Sequence, residues 1–252
     1  MNILVCVKRV PATAGKMTLV DDDREIDTRF LGFTVSPHEE CAVEEAVRLV
    51  EAHGGASTVL TLGPEESADQ LRAALAVGAN RAVHLATDGR EWDPGATAAA
   101  IVAAVRADDT GFDLLLFGNE AADTGDYQVP IRVAHALGLP VVTGIKRLSI
   151  DGDRVVARRE ASGGWEVFEL PLPAVVAVKE GINLPRFASV PGRLRARKAP
   201  IQRIEPAWPG NGLDKVRLRV PGGSSKQVEV LGHGPEAAPL AAKVIRELGL
   251  AP

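Results

Sequence analysis

The residues whose types and spacing could do chemistry gather in Gly118 to Pro130, GNEAADTGDYQVP. The stretch follows an apolar run, Phe112 to Phe117, and precedes a helical pattern. A strand, a glycine-bearing turn and a helix start is where α/β proteins hold phosphate. Yet the turn has no lysine or arginine and carries Glu120, Asp123 and Asp126. An anion there would be met by main-chain N–H groups around Gly125 and in the first helical turn. The helix dipole adds about half a positive charge. Asp123 and Asp126 then read as turn formers and helix-start residues rather than as a general acid–base pair.

No other constellation competes. There is no G-x-G-x-x-G after the first strand, no G-x-x-x-x-G-K-[ST], no G-x-S-x-G and no H-E-x-x-H. His38, His53, His84, His135 and His233 lack metal spacing, and no metal or catalytic residue is assigned. Cys6 and Cys41 have no cysteine at metal or redox spacing and read as small buried hydrophobes. The net charge of −4 gives no bias toward nucleic acid or membrane. No apolar run nears the roughly 18 residues of a membrane span. With no charged leader ahead of the first strand, the expected location is cytoplasmic.

Alternating elements position the acidic turn. NILVCV is a first strand, and Thr18 to Thr28 alternate as a small hairpin. Pro37 opens a helix that Gly54-Gly55 ends. STVLTLGP, RAVHLA and FDLLLFGN are strands, with helices over ESADQLRAALAVGAN, from Asp93-Pro94, and over Val129 to Gly138. Continuous apolar strands between amphipathic helices imply an α/β fold with a parallel sheet covered on both faces. The turns at Lys8-Arg9, Gly63-Pro64 and Gly118 to Pro130 then share one edge, where a mononucleotide would bind.

After Leu139, VVTGIKRLSI, DRVVARREA, WEVFEL and AVVAVK read as an antiparallel meander extending the sheet. From Gly181 prolines punctuate a segment poor in apolar residues. Within it PRFASVPGRLRARK interleaves Arg186, Arg193, Arg195, Arg197 and Lys198 with Phe187, Val190 and Leu194. One basic loop with one aromatic is a poor nucleic-acid platform. An apolar anchor ringed by charge suits protein docking. The tail, Pro235 to Leu250, is an amphipathic helix that needs a partner surface. The domains expected are 1–184, an α/β nucleotide-binding domain, and 185–252, a recognition loop and docking arm.

These segments, in this order and spacing, resemble the β subunit of electron transfer flavoproteins almost end to end. The carriers are VCVKRVP, ECAVEEAVRLVEAHGG, LRAALAVGANRAVHL, DLLLFGNEAADTGD, REASGGWEVFELPLPAVVAVKEGINLPRF and RLRARK. The resemblance implies a Rossmann-like core of the adenine-nucleotide α-hydrolase type, an antiparallel extension and a C-terminal arm. It implies a heterodimer with an α subunit that holds most of the FAD in a mobile domain. The pair takes electrons from flavin dehydrogenases, such as the acyl-CoA dehydrogenases of fatty-acid oxidation, and passes them to a quinone oxidoreductase of the respiratory chain. The β subunit is an electron-carrier component and binds structural AMP. In electron-bifurcating members a second FAD takes that place and meets NADH, and the two readings stay open here. A nucleotide-sensing protein of the universal-stress type shares the α/β core but leaves the chain after Leu139 without a role.

Carried over by position, the nucleotide contacts fall on Cys6, Ser36, Leu62, Gly63, Asn119, Glu120, Ala121, Asp123, Thr124, Gly125, Asp126, Tyr127, Gln128 and Val129. The docking residues are Arg186, Val190, Arg193, Leu194, Arg195, Arg197 and Lys198, with Val190 where the family's apolar anchor stands. Glu166 matches a glutamate that positions the flavin domain. The chain departs from the family pattern at Ser36, usually asparagine, and Leu62, usually small or polar. Asn119-Glu120 replace Lys-Gln, and Pro130 replaces glycine.

Overall fold

The computed structural model describes residues 1–12, 18–220 and 229–251. They divide into two units, Met1–Leu218 and Arg219–Pro252. The first is built on one nine-stranded sheet. Its core strands are β1 (Asn2–Val7), β4 (Ala56–Gly63), β5 (Arg81–Ala86) and β6 (Leu114–Gly118). Between them run α1 (Pro37–His53), α2 (Ala68–Val77) and α3 (Pro94–Ala107), and α4 (Val129–Leu137) follows β6. A two-residue antiparallel pair, β2 (Val10–Pro11) and β3 (Phe33–Thr34), leads into α1. In the hairpin segment before it, Leu19 bridges Ile26 in antiparallel sense.

Side chains of successive β1 residues divide the core. Ile3, Val5 and Val7 pack with Ala42, Val43, Leu71 and Leu75 of α1 and α2. Leu4 and Cys6 pack with Ala98, Ile101, Val133 and Ala134 of α3 and α4. That is the double cover that lets a parallel strand be apolar throughout. The chain runs outward from β1 through β4 to β5, then returns to place β6 on the other flank of β1. The strand order therefore reverses between β1 and β6, and a crevice opens outside their carboxyl ends.

Three strands after Leu139 form the expected antiparallel extension: β7 (Val141–Asp151), β8 (Arg154–Ala161) and β9 (Gly164–Pro171). The fourth does not. β10 (Ala174–Val178) inserts between β6 and β7, parallel to both, with every residue buried. Its sequence AVVAV has no polar alternation, so both its faces need cover, which only the sheet centre supplies.

The compact unit also continues past position 184. Pro185 to Lys198, read as a loop, contains α5 (Val190–Lys198), and β11 (Gln202–Ile204) adds a parallel edge strand beside β5. Ser189 caps α5, and Pro191 sits in its first turn, where a missing N–H costs nothing. The buried face of α5 is small: Gly192 and Ala196 lie against α2. A Cβ on Gly192 would stand 2.3 Å from the carbonyl oxygen of Ala76. Further on, Asp93 caps α3 through Ala96 N–H and also accepts N–H bonds from Gly212 and Leu213, which pins this stretch to the unit.

The second unit carries α6 (Ala238–Glu247). Leu240, Val244 and Ile245 line one stripe of it, Leu248 follows at its C-cap, and all are exposed. No helix among the described residues is long and apolar enough to cross a membrane.

Candidate functional site

The crevice is floored by the start of α1. Ser36 and Glu39 form a capping box: the serine hydroxyl accepts Glu39 N–H while the glutamate accepts Ser36 N–H at 3.0 Å. The other carboxylate oxygen of Glu39 accepts Lys8 N–H, also at 3.0 Å, joining the end of β1 to the helix. Burial pushes the Glu39 pKa up to about 8 against the pull of these two N–H donors. A Cβ on Gly118 would lie 2.6 Å from Glu39 Cγ, so the strand can pass this close only as glycine.

Two of the three acids of the loop after β6 are engaged by neighbours, and Asp126 is exposed. Asp123 receives the Lys8 ammonium at 2.8 Å. The Glu120 carboxylate lies 3.0 Å from His38 Nε2, and its main-chain carbonyl accepts the Ser36 hydroxyl at 3.0 Å. Asn119 fixes the base of the loop: its N–H donates to Val178 and its side-chain oxygen accepts Gly144 N–H. Gly125 sits at φ +56°, where only glycine is unstrained, and Tyr127 is a non-glycine residue at φ +57°.

The helix beyond this loop is left open. Ser36, Asp93 and Ser189 cap α1, α3 and α5, but the N-cap of α4, Gln128, makes no capping bond. Its side-chain oxygen faces Arg132 Nε and Nη2 instead, at 3.1 and 2.8 Å. The first turn of α4 thus presents N–H groups without a side-chain acceptor. Ala121 and Asp126 lie in the loop, and Val129 packs on the core.

Beside the loop, a polar cavity of about 260 Å³ is lined by Asn119, Tyr127, Thr143, Arg159 and Lys179. Arg159 also pairs with Glu166 at 2.7 Å, which ties that strand residue to the cavity wall. Cys6, at the end of β1, is buried among the α3 and α4 contacts. Burial, with Glu39 nearby, holds its thiol well above the usual range, so it stays protonated. Leu62 and Gly63 end β4 on the far side of β1. Gly63 is held by His84 Nε2 at its carbonyl, 3.1 Å, and no hydrogen bond joins it to the loop after β6 among the described residues.

The basic segment forms a second surface. Val190, Leu194 and Phe187 are exposed, Phe187 at 97%. Arg193, Arg195, Arg197 and Lys198 project around them into solvent. Arg186 is engaged differently: it grips Glu44, whose side chain is 4% exposed, at 2.9 Å and Glu51 at 2.6 Å. These contacts hold its pKa above the ordinary guanidinium value. Arg72 donates to the carbonyls of Ala196 and Arg197 and closes the end of α5.

Residues 26–208 match the family model described as electron transfer flavoprotein domain. The chain is 36% identical to the electron transfer flavoprotein subunit beta of Bacillus subtilis, over 81% of this chain and 79% of that one. It is 34% identical to the subunit of that name from Mycobacterium bovis, over 98% and 93% of the two chains. The mitochondrial subunit beta of Oryza sativa subsp. indica is 36% identical, over 82% of each. The chain belongs to the electron transfer flavoprotein β-subunit family. The match runs well past Leu139, through the stretch that a universal-stress-type protein would leave without a role.

Within this electron transfer flavoprotein chain, the fold joins Ser36 to Glu120, and Asp123 and Thr124 to the Lys8 ammonium, which lies 3.4 Å from the Thr124 hydroxyl. Sequence reasoning missed His38 and Glu39. The capping box at Ser36 and Glu39 is a readable S-x-x-E pattern. His38 carries no such signal, because its partner Glu120 lies 82 positions away.

Proposed function

We propose that the chain is the β subunit of a heterodimeric electron transfer flavoprotein and holds AMP at the carboxyl edge of β1 and β6. The reading rests on one observation. At the strand-order reversal, Glu120 and Asp123 are engaged by His38 and Lys8, while the helix behind the loop offers main-chain donors with no cap. That donor set fits a phosphate: Glu120 and Asp123 are held by other partners, and backbone N–H groups with a helix dipole favour an anion. The N–H groups from Asp126 through Val129, and that of Ile131, would hold the phosphate, with Gly125 turning the chain toward it and the adenosine toward Cys6, Ser36, Leu62 and Gly63. FAD, shared with an α subunit, supplies the redox chemistry when bound. This chain's residues position and dock. The exposed stripe of α6 covers the α subunit, and α5 meets flavin dehydrogenases through Val190 and Leu194 ringed by arginine. The acceptor is a quinone oxidoreductase.

Cofactor stoichiometry tests the proposal. Acid extraction of the purified αβ protein should release one FAD and one AMP per heterodimer. Two FAD and no AMP would replace this reading with a bifurcating one. Gly125→Val should lower the AMP recovered, since φ +56° costs a side-chain-bearing residue about 1–2 kcal/mol.

A further inference from the structure

The loop after β6 and the segment leading into α5 are remote in sequence, yet one imidazole touches both. His38 stands in the first turn of α1, its side chain 13% exposed. Its Nδ1 accepts the main-chain N–H of Glu180, just beyond β10, at 2.8 Å. A main-chain N–H can only donate, so Nδ1 keeps its lone pair and the ring proton sits on Nε2. Nε2 therefore donates to Glu120 Oε1, 3.0 Å away on the loop. The carboxylate polarises the ring and strengthens Nδ1 as an acceptor, so each bond supports the other.

Both ends lead somewhere. On one side Glu120 belongs to the loop whose base is set by Ser36 and Val178. On the other, the chain from Glu180 is fastened along α1. Asn183 Nδ2 donates to the Cys41 carbonyl at 3.0 Å and to Glu45 at 2.9 Å, and Arg186 grips Glu44 and Glu51. Four residues later α5 begins, carrying the exposed apolar and basic patch.

We infer that His38 is a positioning residue that couples the loop after β6 to residues 180–187, so that a nucleotide on the loop sets how firmly the docking segment is held. The coupling rests on the ring joining the two segments. Its nucleotide dependence rests on the AMP reading above.

Hydrogen exchange on the αβ protein separates the two. Glu120→Ala, a change confined to the loop, should speed exchange about tenfold at the Glu180 amide and across 181–187. Glu120→Gln, which keeps an acceptor but no charge, should give a smaller rise at the same amides. Acceleration confined to 119–124 in both variants would overturn the inference. His38→Asn keeps an acceptor near the Nδ1 position but has no donor at the Nε2 position, from which Glu120 is reached. In that background Glu120→Ala should leave 180–187 unchanged, and an undiminished response would overturn the coupling. AMP added to nucleotide-stripped protein should slow exchange at 180–187 in the natural chain and not in His38→Asn. Equal slowing in both would refute the role of His38. If AMP fails to bind, the nucleotide assignment and its linkage fall, while the Glu120 variants still decide whether the ring couples the two segments.

Discussion

The loop after β6 and helix α5 are both short, charged surface segments, and they use their charge in opposite ways. In the loop, Glu120 and Asp123 are tied to His38 and Lys8, and the helix that follows has no side-chain cap. Two of the three acids are engaged from within the chain and backbone is left open. In α5 the backbone is closed at both ends, by Ser189 and by Arg72, while Arg193, Arg195, Arg197 and Lys198 form no ion pair among the described residues. Open backbone suits a small anion seated at fixed distance. Free cations around an apolar anchor suit encounter with a large acidic partner, where steering acts over several ångströms.

The contrast depends on α5 being a packed helix, so the largest effect is expected where that packing is tightest. Gly192→Val places side-chain atoms against the Ala76 carbonyl, 2.3 Å from the first of them. It should destabilise the protein by about 3 kcal/mol in denaturant unfolding. An unchanged midpoint would mean that α5 does not need α2.

The loop side can be sharpened by pH. The Glu39 carboxyl is raised from 4.5 to about 8, so between these values the folded state binds more protons than the unfolded chain. Its contribution is fully present below about pH 4.5 and is lost as pH rises through 8, at up to about 1.4 kcal/mol per pH unit. Glu39→Gln should flatten this fall in unfolding free energy between pH 5 and 8. An identical slope in the variant would show that the floor of the loop titrates normally.

The smallest stability effect is expected on the exposed face of α5. Arg195→Glu with Arg197→Glu should change stability by less than about 0.5 kcal/mol. It should nevertheless slow electron uptake from a flavin dehydrogenase, chiefly in association rate, with a defect that shrinks as salt rises. An unaltered rate at low ionic strength would remove the docking role from this helix.

Elements with strong local signals were legible without the structure. Asp93-Pro94 and Ser36-Pro37 mark helix starts, Gly138 marks the end of α4, and RAVHLA spans β5 residue for residue. The helix α5 was not legible, because its buried face is glycine and alanine and carries no apolar period. Nor was the place of β10, since a short run buried on both faces says that it is covered and not what covers it. At the site, the need for glycine at position 125 and the helix start at Val129 could be read. The engagement of Glu120, Asp123 and Arg186 could not, because a carboxylate or guanidinium looks the same in sequence whether it faces solvent or a partner many residues away.

By itself the sequence determined the alternation of strands and helices, the edge on which the loops emerge, and the family. Those follow from residue periodicity, turn chemistry and motif order, all local properties of the chain. The tertiary structure alone decided that β10 lies inside the sheet between β6 and β7, that Pro185 to Ile204 belong to the compact unit, and that Glu120 and Asp123 of the loop after β6 are engaged from within the chain. Each of these is a pairing between distant segments. Sheet order and ion pairing are settled by which surfaces bury one another, and no window of the sequence contains both partners.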